Sequence, residues 1–133
     1  MIGLLTARAE IEVFGKITEK EDISPVEFEK KDNNIVFRIR KDDFMFKLIK
    51  ESEVFAINIP RSNFEKEKRI CEIHEGGFED KFKLTGFEKK ECSTIDCPAI
   101  GRSHVIECIA VKIEENKENA TIHGKILKEN SNI

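Results

Sequence analysis

Apolar and polar residues alternate along much of the chain, which is the pattern of half-buried β-strands. The clearest alternation runs from Val26 to Ile39 and is interrupted only at Lys31-Asp32-Asn33-Asn34. Asp and Asn tolerate the left-handed turn conformation, so this stretch predicts a β-hairpin. Further strands are predicted at residues 3–8, 11–17, 53–59, 83–87, 105–113 and 120–127, and residues 88–103 are expected to be irregular.

Two segments change to helical spacing of their apolar residues. The first predicts a helix over residues 43–51, with Asp42 or Asp43 available to cap its first turn. The second covers residues 63–75 and follows Ser62-Asn63-Phe64-Glu65, which fits a capping box. We expect this helix to stop at Gly76-Gly77, where a left-handed residue costs little.

Six or more strands with two short helices predict an all-β to α+β fold. The expected architecture is a six-stranded antiparallel barrel with the helices at its ends. The length of 133 residues fits one domain over residues 1–133 and is sufficient for a hydrophobic core.

The charge composition argues against a nucleic-acid partner. The 23 Lys and Arg residues are interleaved with 26 Asp and Glu residues, and the net charge is only −3. No apolar run has the length of a membrane span, and the N-terminus lacks a signal-peptide pattern. We therefore expect a cytoplasmic protein without a membrane partner.

The four cysteines do not predict a metal site. Their spacing fits no zinc signature, so free thiols and no bound metal are expected. Cys108 lies within an apolar run and is predicted to be a core residue. The four cysteines are Cys71, Cys92, Cys97 and Cys108.

Three segments resemble the flavin reductase-like family, which includes flavoredoxins. LIKESEVFAINIP at residues 48–60 resembles the family's helix-to-strand segment, and CEIHEGGFEDKF at residues 71–82 aligns without a gap to its glycine-containing loop. IECIAVKI at residues 106–113, followed by ATIHGKIL at residues 120–127, resembles two of its later strands. The order and spacing of these segments carry the resemblance over residues 3–127.

The resemblance implies a Greek-key split barrel that binds FMN near the interface of a homodimer. Family members pass electrons to flavin from NAD(P)H or from a protein donor, so the implied activity is that of an NAD(P)H:flavin oxidoreductase. A homodimer is also expected because the apolar content is large for a small barrel.

Eight residues are candidates for flavin binding. The loop match assigns five of them, and the strand match adds His123, since the corresponding strand borders the flavin in the family. Arg40 and Lys41 form a cationic pair at a strand-to-helix junction, where a phosphate can be bound. The five loop candidates are Gly76, Gly77, Asp80, Lys81 and Phe82.

The chain departs from the family pattern where the family binds the flavin phosphate. Gly77 stands where the family has a basic residue, and Arg40-Lys41-Asp42-Asp43 stand where it has small hydroxyl residues, so that two aspartates would repel the phosphate. The chain also ends soon after residue 127, where family members continue with a segment over the flavin. We therefore expect weaker FMN binding than in the family. Two alternatives stay open: a flavin-free barrel that is a structural or ligand-binding dimer, and a barrel for a haem-like or pyridoxal-type phosphate ligand.

Overall fold

The structure, a computed structural model, describes residues 1–131 of the chain. No helix within this range is long and apolar enough to cross a membrane. The elements in chain order are β1 (Ile2–Val13), β2 (Lys16–Lys31), β3 (Asn34–Arg40), α1 (Phe44–Ser52), β4 (Val54–Pro60), α2 (Glu65–Ile73), α3 (Lys81–Thr85), β5 (Lys89–Glu91), β6 (Pro98–Ile100), β7 (Ser103–Glu115) and β8 (Asn119–Asn130).

Six of these strands close into an antiparallel barrel in the order β1-β2-β3-β8-β7-β4. The predicted six-stranded antiparallel fold is therefore confirmed, with three short helices in the described residues rather than two. The two remaining strands, β5 and β6, pair with each other outside the barrel.

The barrel interior holds the main hydrophobic core, because one face of each strand is apolar. The rings of Phe37 and Phe55 meet edge to face inside it, with their centroids 5.2 Å apart. α1 closes onto this core with fully buried side chains such as Met45. The Asp43 carboxylate accepts a hydrogen bond from the Met45 backbone nitrogen at 2.9 Å, which confirms the predicted helix and its cap.

The first two predicted strands are one strand. Residues 3–8 and 11–17 were expected to be separate, but Ile2–Val13 is continuous and pairs with β2 along its length. Phe14 and Gly15 form the turn, with φ angles of 51° and 78°. Two consecutive left-handed residues match the twist of a two-residue hairpin. The prediction was wrong because a Phe-Gly pair is not a typical sequence for such a turn.

The second helix is shorter than predicted and lacks the expected capping box. It begins at Glu65, and the Asn63 side chain rather than Ser62 accepts from the Glu65 backbone nitrogen, at 2.9 Å. It ends at Ile73 because His74 adopts extended backbone angles of −108° and 144°. The helix itself was correctly located, but the residues that start and stop it were not.

The region after the loop also differs from the prediction. Residues 83–87 were expected to form a strand, but α3 covers most of them. The Asp80 carboxylate caps this helix by accepting from the Lys83 backbone nitrogen at 3.2 Å, and Gly86 ends it with a φ angle of 76°. Residues 88–103 were expected to be irregular, but they contain the β5–β6 hairpin. Three-residue strands are too short to give a readable alternation.

Candidate functional site

The glycine-containing loop faces the middle of β2 across a groove of about 410 Å³. We call it the loop groove; residues 19–23 line one side and residues 76–82 the other. This volume lies in the range of small-molecule sites. The structure places five of the eight sequence candidates on the groove wall, namely Gly76, Gly77, Asp80, Lys81 and Phe82.

A second groove of about 610 Å³ adjoins the first, because both are lined by Asp22, Gly76 and Lys81. We call it the acidic groove. Lys81 is the one Lys or Arg that lines it within the described residues, so its wall carries a strong negative charge. The carboxylates on this wall belong to Asp22, Asp42, Asp43, Glu72 and Glu75.

A buried ion pair between Asp22 and Lys81 joins the loop to β2. The Lys81 Nζ lies 2.9 Å from the Asp22 Oδ1, and the two side chains are 4% and 1% exposed. Lys81 also donates to the Ile23 carbonyl at 2.9 Å, and the Ile23 backbone nitrogen donates to Asp22 at 2.8 Å. Burial raises the pKa of Asp22, although the Lys81 ammonium acts in the opposite direction. The pair therefore holds the two sides of the groove together.

Gly76 is required for this contact rather than for ending a helix. A Cβ atom on Gly76 would lie 2.1 Å from the Asp22 carboxyl group. Neither Gly76 nor Gly77 has a positive φ angle, so the predicted left-handed helix stop is wrong. The backbone instead passes so close to a buried carboxylate that only glycine fits.

We expect Gly76→Ala to lower the free energy of unfolding by about 1–3 kcal/mol, since the new methyl group forces Asp22 away from Lys81. Gly77→Ala is the matched control. The nearest atoms to its Cβ atom would belong to the Phe44 ring, at 3.3 Å, and a side chain at a groove edge can give way. Urea unfolding of both variants checks this prediction, and equal effects would contradict it.

Asp80 and Phe82 have structural roles in the described chain. Asp80 caps α3, as described above. Phe82 is 6% exposed and packs with Leu4, Ile23 and Ile100 in a small core outside the barrel. Lys81 pairs with Asp22 and not with its neighbour Asp80. Any contact of these residues with a ligand is additional to those roles.

The other three candidates lie away from the loop groove. Arg40 is exposed and binds Asp42 through two hydrogen bonds of 3.0 and 3.1 Å. Lys41 donates to the Asn116 carbonyl at 3.0 Å, and His123 lies 2.6 Å from a carboxylate oxygen of Glu114. None of the three lines the loop groove. Their assignment to flavin binding stays a prediction, and a phosphate would have to compete with these carboxylate and carbonyl partners.

Sequence reasoning missed the most connected residue at the groove, Arg8. Its guanidinium is bound by Glu21 at 2.9 Å and Asp96 at 3.1 Å, and Glu91 is the closest partner at 2.5 Å. Hydrogen bonding to Glu91, against the effect of burial, raises the pKa of Arg8. A charged residue within the apolar run of β1 was the available signal.

The remaining cations of the loop groove are also mostly neutralised. Lys89 pairs with Glu21 at 2.5 Å, and Lys81 pairs with Asp22. Lys20 is the one lining Lys or Arg that makes no ion pair with the described residues. No group of three or more His, Cys, Asp or Glu side chains within residues 1–131 is placed to hold a metal ion.

Solved structures with the same fold include two flavoredoxins and an NADH:FAD oxidoreductase. A flavoredoxin from Desulfovibrio vulgaris (Miyazaki F) aligns with a TM-score of 0.78 and 20% identity, over 96% of this chain and 68% of its own. A flavoredoxin from Methanosarcina acetivorans aligns with a TM-score of 0.74 and 22% identity, over 98% of this chain and 69% of its own. An NADH:FAD oxidoreductase from Streptomyces globisporus C-1027 aligns with a TM-score of 0.74 and 15% identity, over 98% of this chain and 76% of its own.

The protein therefore has the flavin reductase-like split-barrel fold, as the sequence resemblance implied. No protein-family model and no curated protein matches the chain. The chain spans about two thirds of the length of the two flavoredoxins. At these identities the comparison establishes the fold, and the function has to be argued from the groove.

Proposed function

We propose that the protein binds a flavin in the loop groove and acts as an electron carrier of the flavoredoxin or flavin reductase type. The observation that carries this proposal is the position of residues 76–82, which fold over β2 and leave a groove of about 410 Å³ between them. The neighbours' names support it, since they include flavoredoxins and an NADH:FAD oxidoreductase.

The groove fits the ring system of a flavin. Phe78 lines it with a side chain that is 79% exposed, so an aromatic surface is available for a planar ligand. Gly76 and Gly77 present backbone without side chains, which permits a close approach of the ligand. The bound flavin would supply the redox chemistry, while these residues bind and orient it.

The groove offers less to the phosphate of FMN, which carries a charge of about −2. Binding of a phosphate depends on cationic or backbone donors, and Lys20 is the lining cation that is not already paired with a carboxylate in the described structure. The adjoining acidic groove would repel it. We therefore propose FMN as a weakly held cofactor, with NAD(P)H or a protein donor as the source of electrons.

Titration of the purified protein with FMN, FAD and riboflavin tests the proposal. We expect the absorbance spectrum of at least one flavin to shift on binding, and NADH to reduce the bound flavin. Gly76→Ala, which disturbs the groove wall, should weaken the shift. If no flavin spectrum changes at hundreds of micromolar protein, the flavin proposal is wrong.

One observation favours a second candidate, a flavin-free barrel that binds another ligand. The acidic groove is lined by five carboxylates and one lysine within the described residues, so it favours an uncharged or cationic ligand over a phosphate. This is the flavin-free alternative drawn from the sequence. A negative result in the flavin titration would favour it.

We also propose that the protein is a homodimer, and we keep the cytoplasmic location as a prediction. The outer face of β7 and β8 carries Ile109, Val111 and Leu127, which are 36%, 58% and 45% exposed. Ile109 lies opposite Lys125, two residues from Leu127, and Val111 lies at the β-bulge between Ala110 and Lys112, so the three residues are close along the two paired strands. An exposed apolar patch of this kind is typical of a protein interface.

Sedimentation at micromolar concentration should give a dimer, and Val111→Glu should shift it toward the monomer because a charge cannot be buried there without a partner. Glu114→Gln, an exposed change on the same strand, is the control and should leave the dimer intact. A wild-type monomer would contradict the proposal.

A further inference from the structure

Cys92 and Cys97 lie directly opposite each other where the β5–β6 hairpin extends into its loop. Glu91 pairs with Pro98 at the end of the ladder, so Cys92 and Cys97 are the next facing positions. The Cys92 backbone nitrogen donates to the Cys97 carbonyl at 2.9 Å, which continues the antiparallel pairing. Facing residues in antiparallel strands have Cα atoms about 4.5–5.5 Å apart, and disulfides span about 4.4–6.8 Å. The backbone therefore already has the spacing of a disulfide.

The two sulfur atoms approach the same acceptor. The Cys92 Sγ lies 3.8 Å from the Pro98 carbonyl oxygen, and the Cys97 Sγ lies 3.3 Å from it. Cys97 is fully buried, whereas Cys92 is partly exposed. One thiol is thus accessible to a reagent in solution, and the other lies behind it.

The loop between the two cysteines is held in place by Glu107. The Ser93 backbone nitrogen and hydroxyl donate to one Glu107 oxygen at 3.0 and 3.1 Å. The Thr94 backbone nitrogen and hydroxyl donate to the other at 2.7 and 2.6 Å. Burial acts to raise the pKa of Glu107, but these hydrogen bonds outweigh it and lower that pKa, so the carboxylate stays charged at neutral pH. The anchored loop keeps the cysteines facing each other.

We propose that Cys92 and Cys97 form a dithiol–disulfide redox site that reacts with hydroperoxides. The Cys92 thiolate attacks the peroxide, so that an S–O bond forms and the O–O bond breaks; the departing oxygen takes up the proton that Cys92 released and leaves as water or an alcohol. The Cys97 sulfur then attacks the Cys92 sulfur, so that the S–S bond forms and the S–O bond breaks. The departing hydroxide takes the Cys97 proton and leaves as water. Two thiols are oxidised by two electrons and one peroxide is reduced, and an external dithiol restores the site.

This inference does not rest on flavin binding. The two sites are nonetheless connected, because Arg8 lines the loop groove and binds Glu91 and Asp96, the residues next to the two cysteines. The other two cysteines lie elsewhere: Cys71 packs under α3 with Phe82, and Cys108 lies in the barrel core. They serve as internal controls.

Trypsin separates the cysteines into three peptides, so oxidation can be read residue by residue. Cleavage after Lys90 and Arg102 releases residues 91–102, which contain Cys92 and Cys97 and no other cysteine. The full-length protein is treated with about one equivalent of hydrogen peroxide and then denatured in the presence of a thiol-alkylating reagent. It is digested with trypsin, and the masses of the peptides are measured by mass spectrometry. We expect the peptide of residues 91–102 to lose two hydrogens and resist alkylation, while Cys71 and Cys108 are alkylated in full.

Three variants sharpen the test. In Cys92→Ser, peroxide should no longer oxidise the Cys97 thiol, so Cys97 should be alkylated in full. Cys71→Ser should still form the disulfide between Cys92 and Cys97. Cys97→Ser should let a sulfenic acid accumulate on Cys92, trapped by dimedone, since the resolving sulfur is absent. The proposal is overturned if the wild-type peptide is alkylated at both cysteines, if Cys92 is oxidised to the sulfinic acid without a disulfide, or if the peptide is found linked to a peptide containing Cys71 or Cys108.

Discussion

Lys81→Met is expected to lower the free energy of unfolding at neutral pH by about 3–5 kcal/mol, the cost of leaving one member of a buried pair without its partner. The Asp22 carboxylate is 1% exposed, and Lys81 is its cationic partner at 2.9 Å. Methionine has a similar length, so the change removes the charge while keeping most of the packing volume. Urea unfolding at neutral pH measures the difference.

The double variant Asp22→Asn/Lys81→Met separates the charge from the packing. With no buried carboxylate left, it should regain much of the stability that Lys81→Met loses, as a double-mutant cycle would show. Arg40→Met is the exposed control: it also breaks a pair of an arginine and an aspartate, but in solvent, so little change is expected. A Lys81→Met loss no larger than that of Arg40→Met would contradict a structural role for the buried pair.

The loss of unfolding free energy that Lys81→Met causes should also depend on pH in a defined direction. Burial raises the pKa of Asp22 from its ordinary value of 3.8, and Lys81 opposes that rise. Removing Lys81 raises this pKa further in the folded state. A carboxyl group with a raised folded pKa favours folding below its unfolded pKa and loses that contribution as the pH rises through the folded pKa. The Lys81→Met deficit should therefore be small near pH 4 and grow toward neutral pH.

The strands were predictable where alternation reports burial directly. The stretch from Val26 to Ile39 has one face in the barrel core, so its hydrophobic pattern and its Asp-Asn turn were read correctly. Turns that require left-handed backbone angles at residues that rarely adopt them were not predicted, as Phe14-Gly15 shows. Residues 83–87 were misread because five residues cannot distinguish the helical from the strand period, and the cap at Asp80 decides the outcome.

The candidate site was predictable only in its loop. The resemblance located residues 76–82, and these line one groove. Asp22 could not be assigned from its neighbours, because a charge within a charged stretch such as Glu19-Lys20-Glu21-Asp22 has the pattern of a solvated strand. Arg8 stands within an apolar run, which indicates burial but does not identify its partners. They are buried because distant segments fold over them, the loop over Asp22 and the β5–β6 region over Arg8. Contacts of this kind have no local signature.

Gly77→Arg is expected to tighten FMN binding by roughly ten- to a hundredfold, which corresponds to the 1.5–3 kcal/mol of one charge-assisted hydrogen bond. The structure permits the substitution. Gly77 lines the loop groove without a positive φ angle, and the nearest atoms to its Cβ atom would belong to the ring of Phe44, at 3.3 Å. A small shift of that ring makes room, and the guanidinium is added to a wall where Lys20 is otherwise the one unpaired cation among the described residues.

The charge origin of this gain is tested by salt, by ligand and by a neutral variant. The gain for FMN should shrink as salt is added, because exposed charges are screened within about 10 Å at 0.1 M salt. Riboflavin has the same ring system without the phosphate, so its affinity should be the same in wild type and Gly77→Arg. Gly77→Gln has comparable bulk and no charge, and it should leave FMN affinity near that of the wild type. If Gly77→Gln gains as much as Gly77→Arg, or if riboflavin gains as much as FMN, the phosphate does not lie near residue 77, and the position that the family resemblance implies for it is wrong.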